Sequence, residues 1–168
     1  MVSLCLLVAF PFLMAYAAAS DVLTMLIPNR VSLALVAAFA VLALAAGPGW
    51  SEVASHLGAG ALVLVVGFGL YLTGTMGAGD VKLAAATALW LGFGALPDYL
   101  LNTALFGGLM ALGLVLLRGL PLPGFAATWP FALRLHDERV GIPYGVALAA
   151  SALVTCPSAP LWRLVLAG

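Results

Sequence analysis

The chain has 168 residues and no net formal charge; 65% of its residues are hydrophobic and only 7% are charged. Because a soluble domain carries roughly 25% charged residues, this composition excludes an ordinary soluble protein and indicates one that crosses a membrane several times. Six positive residues without any Lys/Arg-rich run provide no basic surface, so nucleic acid is not an expected partner and the lipid bilayer is.

Six hydrophobic runs occur along the chain: residues 2–19, 31–46, 57–73, 81–96, 99–117 and 142–156. We predict an all-α polytopic membrane protein, a bundle of about six transmembrane helices in one membrane-embedded domain over residues 1–168. Turn-forming segments separate the runs, among them Gly47-Pro48-Gly49, residues 74–80 and Pro97-Asp98. The longest connection, residues 118–141, is expected to lie partly in the membrane interface.

The positive residues predict how the bundle is oriented. Alternate loops carry five of the six, namely Arg30, Lys82, Arg118, Arg134 and Arg139, and the other loops and termini carry only Arg163. Since positive residues in short loops stay in the cytoplasm, both termini are expected on the outer side. Two acids, Asp21 after the first helix and Asp80 after the third, are then expected on the cytoplasmic side.

A cleaved signal peptide is an alternative for the first run, because Ala17-Ala18-Ala19 resembles a cleavage site of small residues. However, the segment has no positive region before its apolar stretch. Its removal would also invert the following loops and place Lys82 outside, against the distribution of positive residues. The sequence therefore favours a first transmembrane helix.

The second acid ends the motif Gly77-Ala78-Gly79-Asp80. Glycine permits a tight turn and the close approach of another chain. Asp80 would begin the fourth helix, whose first-turn amides favour a carboxylate. Taken alone, this motif is equally typical of a helix cap, and Lys82 beyond it is most simply a headgroup anchor.

The first acid, Asp21, precedes the segment Ile27-Pro28-Asn29. Proline forces the residue before it to be extended, so Pro28 is expected to interrupt the helix. Asn29 could cap the second helix. Taken alone, Asp21 is either a solvated acid beside the membrane or, since an acid at membrane depth is costly, part of a functional site.

Together these motifs resemble the type IV prepilin peptidase family, which are GxGD membrane aspartyl proteases. The matching pieces are Asp21 with Ile27-Pro28-Asn29, the Gly77–Asp80 signature continued by Val81-Lys82-Leu83, and more weakly Ile142-Pro143-Tyr144-Gly145. The resemblance implies two catalytic aspartates and no cofactor or metal. The catalytic residues would be Asp21 and Asp80, and the supporting motif residues Pro28, Asn29, Gly77, Gly79 and Lys82.

The resemblance also implies a function, an intramembrane aspartyl endopeptidase that cleaves the leader peptide of type IV prepilins. The partner would be a prepilin, and the site would face the cytoplasm from the bacterial inner membrane. The chain is most similar to the short, stand-alone branch of tight-adherence (Flp) pilus systems, which lacks the methyltransferase segment with paired CxxC motifs, so methylation is not expected. Archaeal preflagellin peptidases are the group most easily confused with it.

An aspartyl protease needs one ionised carboxylate to accept a proton from water and one protonated carboxyl to hydrogen-bond to the scissile carbonyl. Two neighbouring acids favour this state, because ionising the second beside the first is costly, and they titrate as a unit. Two alternatives use the same acids without proteolysis: a small transporter that binds a cation, and a non-catalytic membrane protein of pilus assembly. The cluster His136-Asp137-Glu138 is expected to be a solvated turn instead of a metal site.

Overall fold

The computed structural model describes the backbone of residues 2–167 and the side chains of residues 8–163. Within that part the chain is helical and contains no strand, which confirms the all-α class. The seven α-helices are α1 Val2–Thr24, α2 Asn29–Ala46, α3 Trp50–Leu72, α4 Ala78–Arg118, α5 Pro130–His136, α6 Tyr144–Thr155 and α7 Pro160–Ala167, with short 3-10 helices at Ala126–Thr128 and Cys156–Ser158. Helices α2, α3 and α4 are long and apolar enough to cross a membrane, and Val8–Thr24 and Tyr144–Ser158 are shorter apolar segments.

The 41-residue helix α4 is a hairpin of two arms that reverses direction at Gly92. Residues on either side of Gly92 meet: Val81 and Ala84 of the first arm line the same cavity as Leu96 and Thr103 of the second. In a straight helix Ala84 and Leu96 would be roughly 18 Å apart along the axis. The two arms, with α1, α2, α3 and α6, make six apolar helical segments.

The reversal corrects the predicted break at Pro97-Asp98. Gly92 has φ 65° and ψ 176°, a conformation that is essentially restricted to glycine. Pro97 instead lies inside the second arm, close to its start, where a missing N–H disturbs few hydrogen bonds. Gly92 therefore forms the turn, and Pro97 lies within the helix that follows it.

Two polar residues of α3 hydrogen-bond to backbone groups on either side of the reversal. His56 Nδ1 lies 2.8 Å from the carbonyl oxygen of Leu89, which closes the end of the first arm. The N–H of Phe93, which begins the second arm, donates to Ser55 Oγ at 3.2 Å. Because unpaired backbone groups are costly in a membrane, these contacts stabilise the turn.

The first arm of α4 is the centre of the bundle, and residues 83–92 are all buried. Trp90 is fully buried, donates from its indole N–H to the carbonyl oxygen of Leu35 at 2.9 Å and packs against the ring of Phe10 with centroids 4.9 Å apart. The arm begins with residues 78–80, so Asp80 lies at one end of the central helix.

The bundle has two chemically different ends. At the acid end, defined by Asp21 and Asp80, lie five of the six positive residues. Arg134 donates to the carbonyl oxygen of Leu23 at 2.6 Å, and Arg118 donates to those of Leu135 and Val140 at 2.8 and 3.0 Å. At the opposite, reversal end lie Gly92 and α7, which carries the sixth, Arg163.

Candidate active site

Asp21 lies in the last turn of α1, which runs to Thr24 instead of ending near Ala19 as predicted. The helix ends at Met25, a residue with φ 57° in the left-handed region. Asp21 is only 5% exposed, and its Oδ2 accepts a hydrogen bond of 2.7 Å from the N–H of Gly145. Gly145 is the second residue of α6, so the start of a helix, with its partial positive charge, holds this carboxylate.

Asp80 is the third residue of α4, after the N-cap residue Gly77. Its carboxylate reaches back toward the backbone N–H of Gly77, as an acid at this helix position commonly does. The side chain is partly exposed and lies within electrostatic reach of Asp21. The structure thus brings the two sequence-predicted acids together, each beside the start of a helix.

Ile27 packs between Gly79, in the motif of Asp80, and Gly145, whose N–H holds Asp21. A Cβ added to Gly79 would lie 3.1 Å from Ile27 Cβ, and one added to Gly145 would lie 2.8 Å from both Ile27 Cδ1 and Asp21 Oδ2. Glycine is therefore needed at both places for close approach. Pro28, the N-cap residue of α2 with ψ 135°, keeps the chain extended at this contact.

Asn29 and Lys82 form a second link between the motifs. Lys82 Nζ donates to Asn29 Oδ1 at 2.9 Å, although the two residues are 53 positions apart. The interpretation of Asn29 as a helix cap was wrong, because Pro28 occupies the N-cap position without a side-chain hydrogen bond. Lys82 is exposed and does more than face the headgroups, since it joins α4 to α2.

Gly77 and Gly145 show what the sequence could and could not reveal. A Cβ on Gly77 would lie 2.9 Å from Asp80 Oδ2, so its place in the motif has a direct steric reason. The sequence does not predict the contact of Gly145 with Asp21, although Ile142-Pro143-Tyr144-Gly145 is a weak match to the family pattern. The feature of the sequence that indicates a role for this segment is the Ile142-Pro143 pair just before α6, which is similar to the Ile27-Pro28 pair just before α2.

A model of the type IV leader peptidase family matches residues 8–112, which include both acids. The chain belongs to this family. It is similar to the prepilin leader peptidase/N-methyltransferases of Aeromonas hydrophila and Aeromonas salmonicida, at 38% and 37% identity over 92 residues, 53% of this chain. That stretch spans only 26% of either relative. No solved structure matches the chain.

Proposed function

We propose that this member of the type IV leader peptidase family is an intramembrane aspartyl endopeptidase that removes the leader peptide of type IV prepilins of the Flp kind. The observation that carries the proposal is the pairing of Asp21 and Asp80. They come from helices far apart in sequence, and they share one end of the bundle, where Ile27 packs against both Gly79, next to Asp80, and Gly145, whose N–H holds Asp21. Isolated structural acids have no reason to meet at membrane depth, where repulsion and desolvation both oppose it.

The pair can hydrolyse a peptide bond without a metal or cofactor. The ionised carboxylate accepts a proton from water as the water oxygen attacks the scissile carbonyl carbon, and the protonated carboxyl hydrogen-bonds to the carbonyl oxygen. Collapse of the tetrahedral intermediate breaks the C–N bond, and the departing nitrogen takes up a proton. The products are a leader with a free carboxylate and a shortened protein with a free amine. Either aspartate can hold the shared proton, because such a pair titrates as a unit.

The position of the acids fits a substrate that has one segment in the cytoplasm and the next segment in the membrane. The five positive residues at the acid end favour the cytoplasmic side of the inner membrane for this end. There the pair would meet the junction between a cytoplasmic leader and a transmembrane helix. Transporter sites, in contrast, tend to lie near the bilayer midplane.

The test is co-expression with a pilin encoded near this chain's gene, followed by intact-mass measurement of the pilin. We expect a mass loss equal to the leader with the wild-type chain, and none with Asp21→Asn or Asp80→Asn. Asp98→Asn is the matched control, because Asp98 is an exposed acid at the reversal end. Full processing by a folded Asp21 or Asp80 variant would refute the paired mechanism.

Orientation is tested by cysteine labelling in a background without Cys5 and Cys156. Ser51 and Glu138 are both exposed and lie at the reversal end and the acid end, respectively. A cysteine replacing Ser51 should react with an impermeant reagent in intact cells, and one replacing Glu138 only after the inner membrane is opened. The opposite pattern would place the acids outside and contradict a cytoplasmic site.

A further inference from the structure

Arg118, the last residue of α4, ties the end of that helix to the segment just before α6. Its Nε donates to the carbonyl oxygen of Leu135 at 2.8 Å, and its Nη2 donates to those of Val140 and Gly141 at 3.0 and 3.2 Å. One guanidinium thus holds three carbonyl oxygens, which the rigid fork of its N–H donors makes possible. Since α6 begins at Tyr144, Arg118 fixes the chain immediately before that helix.

Arg134, in the last turn of α5, ties the same connection between α4 and α6 to the end of α1. Its Nη1 donates to the carbonyl oxygen of Leu23 at 2.6 Å. Leu23 lies in the last turn of α1, where carbonyl groups lack partners within the helix and a positive charge is favourable. Asp21 lies in the same turn. We call the four hydrogen bonds that Arg118 and Arg134 donate the arginine clasp.

The arginine clasp holds the two helix ends that meet at the candidate active site. The N–H of Gly145 lies in the first turn of α6, where the helix itself provides no acceptor, and it donates to Asp21 Oδ2 at 2.7 Å. A Cβ added to Gly141 would lie 4.0 Å from Met25 Cε, so the clasped segment and the end of α1 are neighbours. Helix ends open more readily than helix centres. The contact that orients Asp21 therefore depends on what holds these ends together.

We propose that Arg118 and Arg134 are positioning residues of the candidate active site, which keep Asp21 in place by holding the ends of α1 and α6 against each other. The inference rests on the proposed function, because the effect on cleavage is transmitted through Asp21. A displacement of about 1 Å in a reacting group can cost roughly 100-fold in rate. The two arginines thus have a role in catalysis without touching the substrate.

A simpler role for both arginines is to supply positive charge on the cytoplasmic side. The geometry favours positioning, because both side chains are partly buried and both guanidinium groups are directed at backbone carbonyls. Arg139, in the same connection, provides the contrast. Its side chain is exposed, and it is its backbone N–H that donates to Asp137 Oδ1, at 2.9 Å. Arg139 is therefore a control that carries the same charge at the same end of the bundle.

The kinetic test replaces each arginine by glutamine and measures processing of the pilin per folded protein. We expect Arg118→Gln and Arg134→Gln to lower kcat roughly 10- to 100-fold and to change KM less than about twofold, since both guanidinium groups bind the chain itself. Arg139→Gln should leave both constants unchanged. If Arg118→Gln does not accumulate, Arg134→Gln, which removes a single hydrogen bond, decides the test. Equal losses in the three variants, or an effect on KM alone, would overturn the proposal.

Arg118→Lys tests the shape of the donor at constant charge. A lysine ammonium is a compact charge on a flexible stem, and it does not reproduce the fork that holds three carbonyl oxygens. We therefore expect kcat of Arg118→Lys to stay at least about fivefold below that of the wild type. Full recovery of kcat with lysine would reduce Arg118 to a positive charge and contradict the assignment.

The position of Asp21 is tested without cleavage by amide exchange at Gly145, followed by NMR in protein labelled with ¹⁵N-glycine. Asp21→Ala is the reference for complete loss of the contact. We expect exchange to be at least about tenfold faster in Arg118→Gln and Arg134→Gln than in the wild type, and unchanged in Arg139→Gln. Wild-type exchange in either clasp variant would overturn the inference. If exchange rises as expected but the wild-type chain never cleaves a pilin, the proposed function fails while the positioning role stands.

Discussion

Both ends of the bundle depend on glycines, but for different reasons: close approach of two segments at the acid end and reversal of the chain at the other. At the acid end, Gly79 and Gly145 let Ile27 and Asp21 come close enough to bring two carboxylates together. At the reversal end, Gly92 lets one helix fold back on itself, and Ser55 and His56 of α3 satisfy the exposed backbone. The first arrangement gathers groups that repel each other. The second gives the Leu89 carbonyl and the Phe93 N–H side-chain partners, so we expect it to contribute stability and no chemistry.

The largest effect is expected when the acid pair is broken. Asp21→Asn and Asp80→Asn should each reduce pilin processing by at least about 1,000-fold, and the double variant should be no worse than either single one. The reason is that neither carboxyl can act without the other. Initial rates of leader loss, normalised to folded protein, provide the measurement. Multiplying effects in the double variant would mean that the acids act independently.

A smaller effect is expected when the acids stay but their approach is disturbed. Gly79→Val would push against Ile27, whose Cβ lies 3.1 Å from the position of an added Cβ. Since a displacement of about 1 Å can cost 100-fold in rate, we expect a loss of roughly that size per folded protein. Lys82→Ala removes only the hydrogen bond to Asn29 and should cost less than about tenfold. The reverse order would make Lys82 the more important residue of the site.

At the reversal end the expected loss is in stability. Gly92→Ala would have to adopt a conformation that costs of order 1–3 kcal/mol, with a Cβ 3.1 Å from the His56 ring. Gly94→Ala is the matched control, because its Cβ would only touch Pro160 at 3.6 Å. Denaturation in detergent should show the loss for Gly92→Ala alone. If each folded molecule of this variant cleaved much more slowly, the two ends would be coupled.

The smallest effect is expected from replacing Ser55 of α3. Ser55→Ala leaves the N–H of Phe93 without its acceptor and should destabilise the protein by about 1 kcal/mol. Ser51→Ala, at an exposed position one turn away, should change little. Thermal unfolding in the same detergent compares the two variants. Equal stabilities would show that the Phe93 N–H finds another partner.

The sequence predicted the acid end better than the reversal end, for physical reasons. Charge placement and the two acid motifs are local patterns, and they were sufficient to predict that Asp21 and Asp80 lie at one end of a helical bundle. The reversal at Gly92 could not be predicted, because Gly92 looks like any other glycine of an apolar helix and Pro97-Asp98 is the stronger turn signal.

Contacts between segments that are far apart in the chain could likewise not be predicted from the sequence. The hydrogen bond of Gly145 to Asp21 spans 124 positions, and the link from Lys82 to Asn29 spans 53. The end of α1 was placed too early, because a carboxylate near an apolar run looks like the start of a loop. Asp21 instead lies within the helix: its backbone carbonyl accepts from the N–H of Met25, and its carboxylate accepts from the N–H of Gly145 at the start of α6. The roles of Asp21 and Asp80 in catalysis remain predictions.

The most direct test of the central claim compares Asp80→Asn with Gly92→Ala in one experiment that records both the amount of folded protein and the rate of leader removal per folded molecule. If the acid end performs the chemistry and the reversal end holds the fold, Asp80→Asn will accumulate normally and cleave nothing, and Gly92→Ala will be less abundant but cleave at the wild-type rate per molecule. Leader removal by folded Asp80→Asn protein at a rate near that of the wild type would contradict the account.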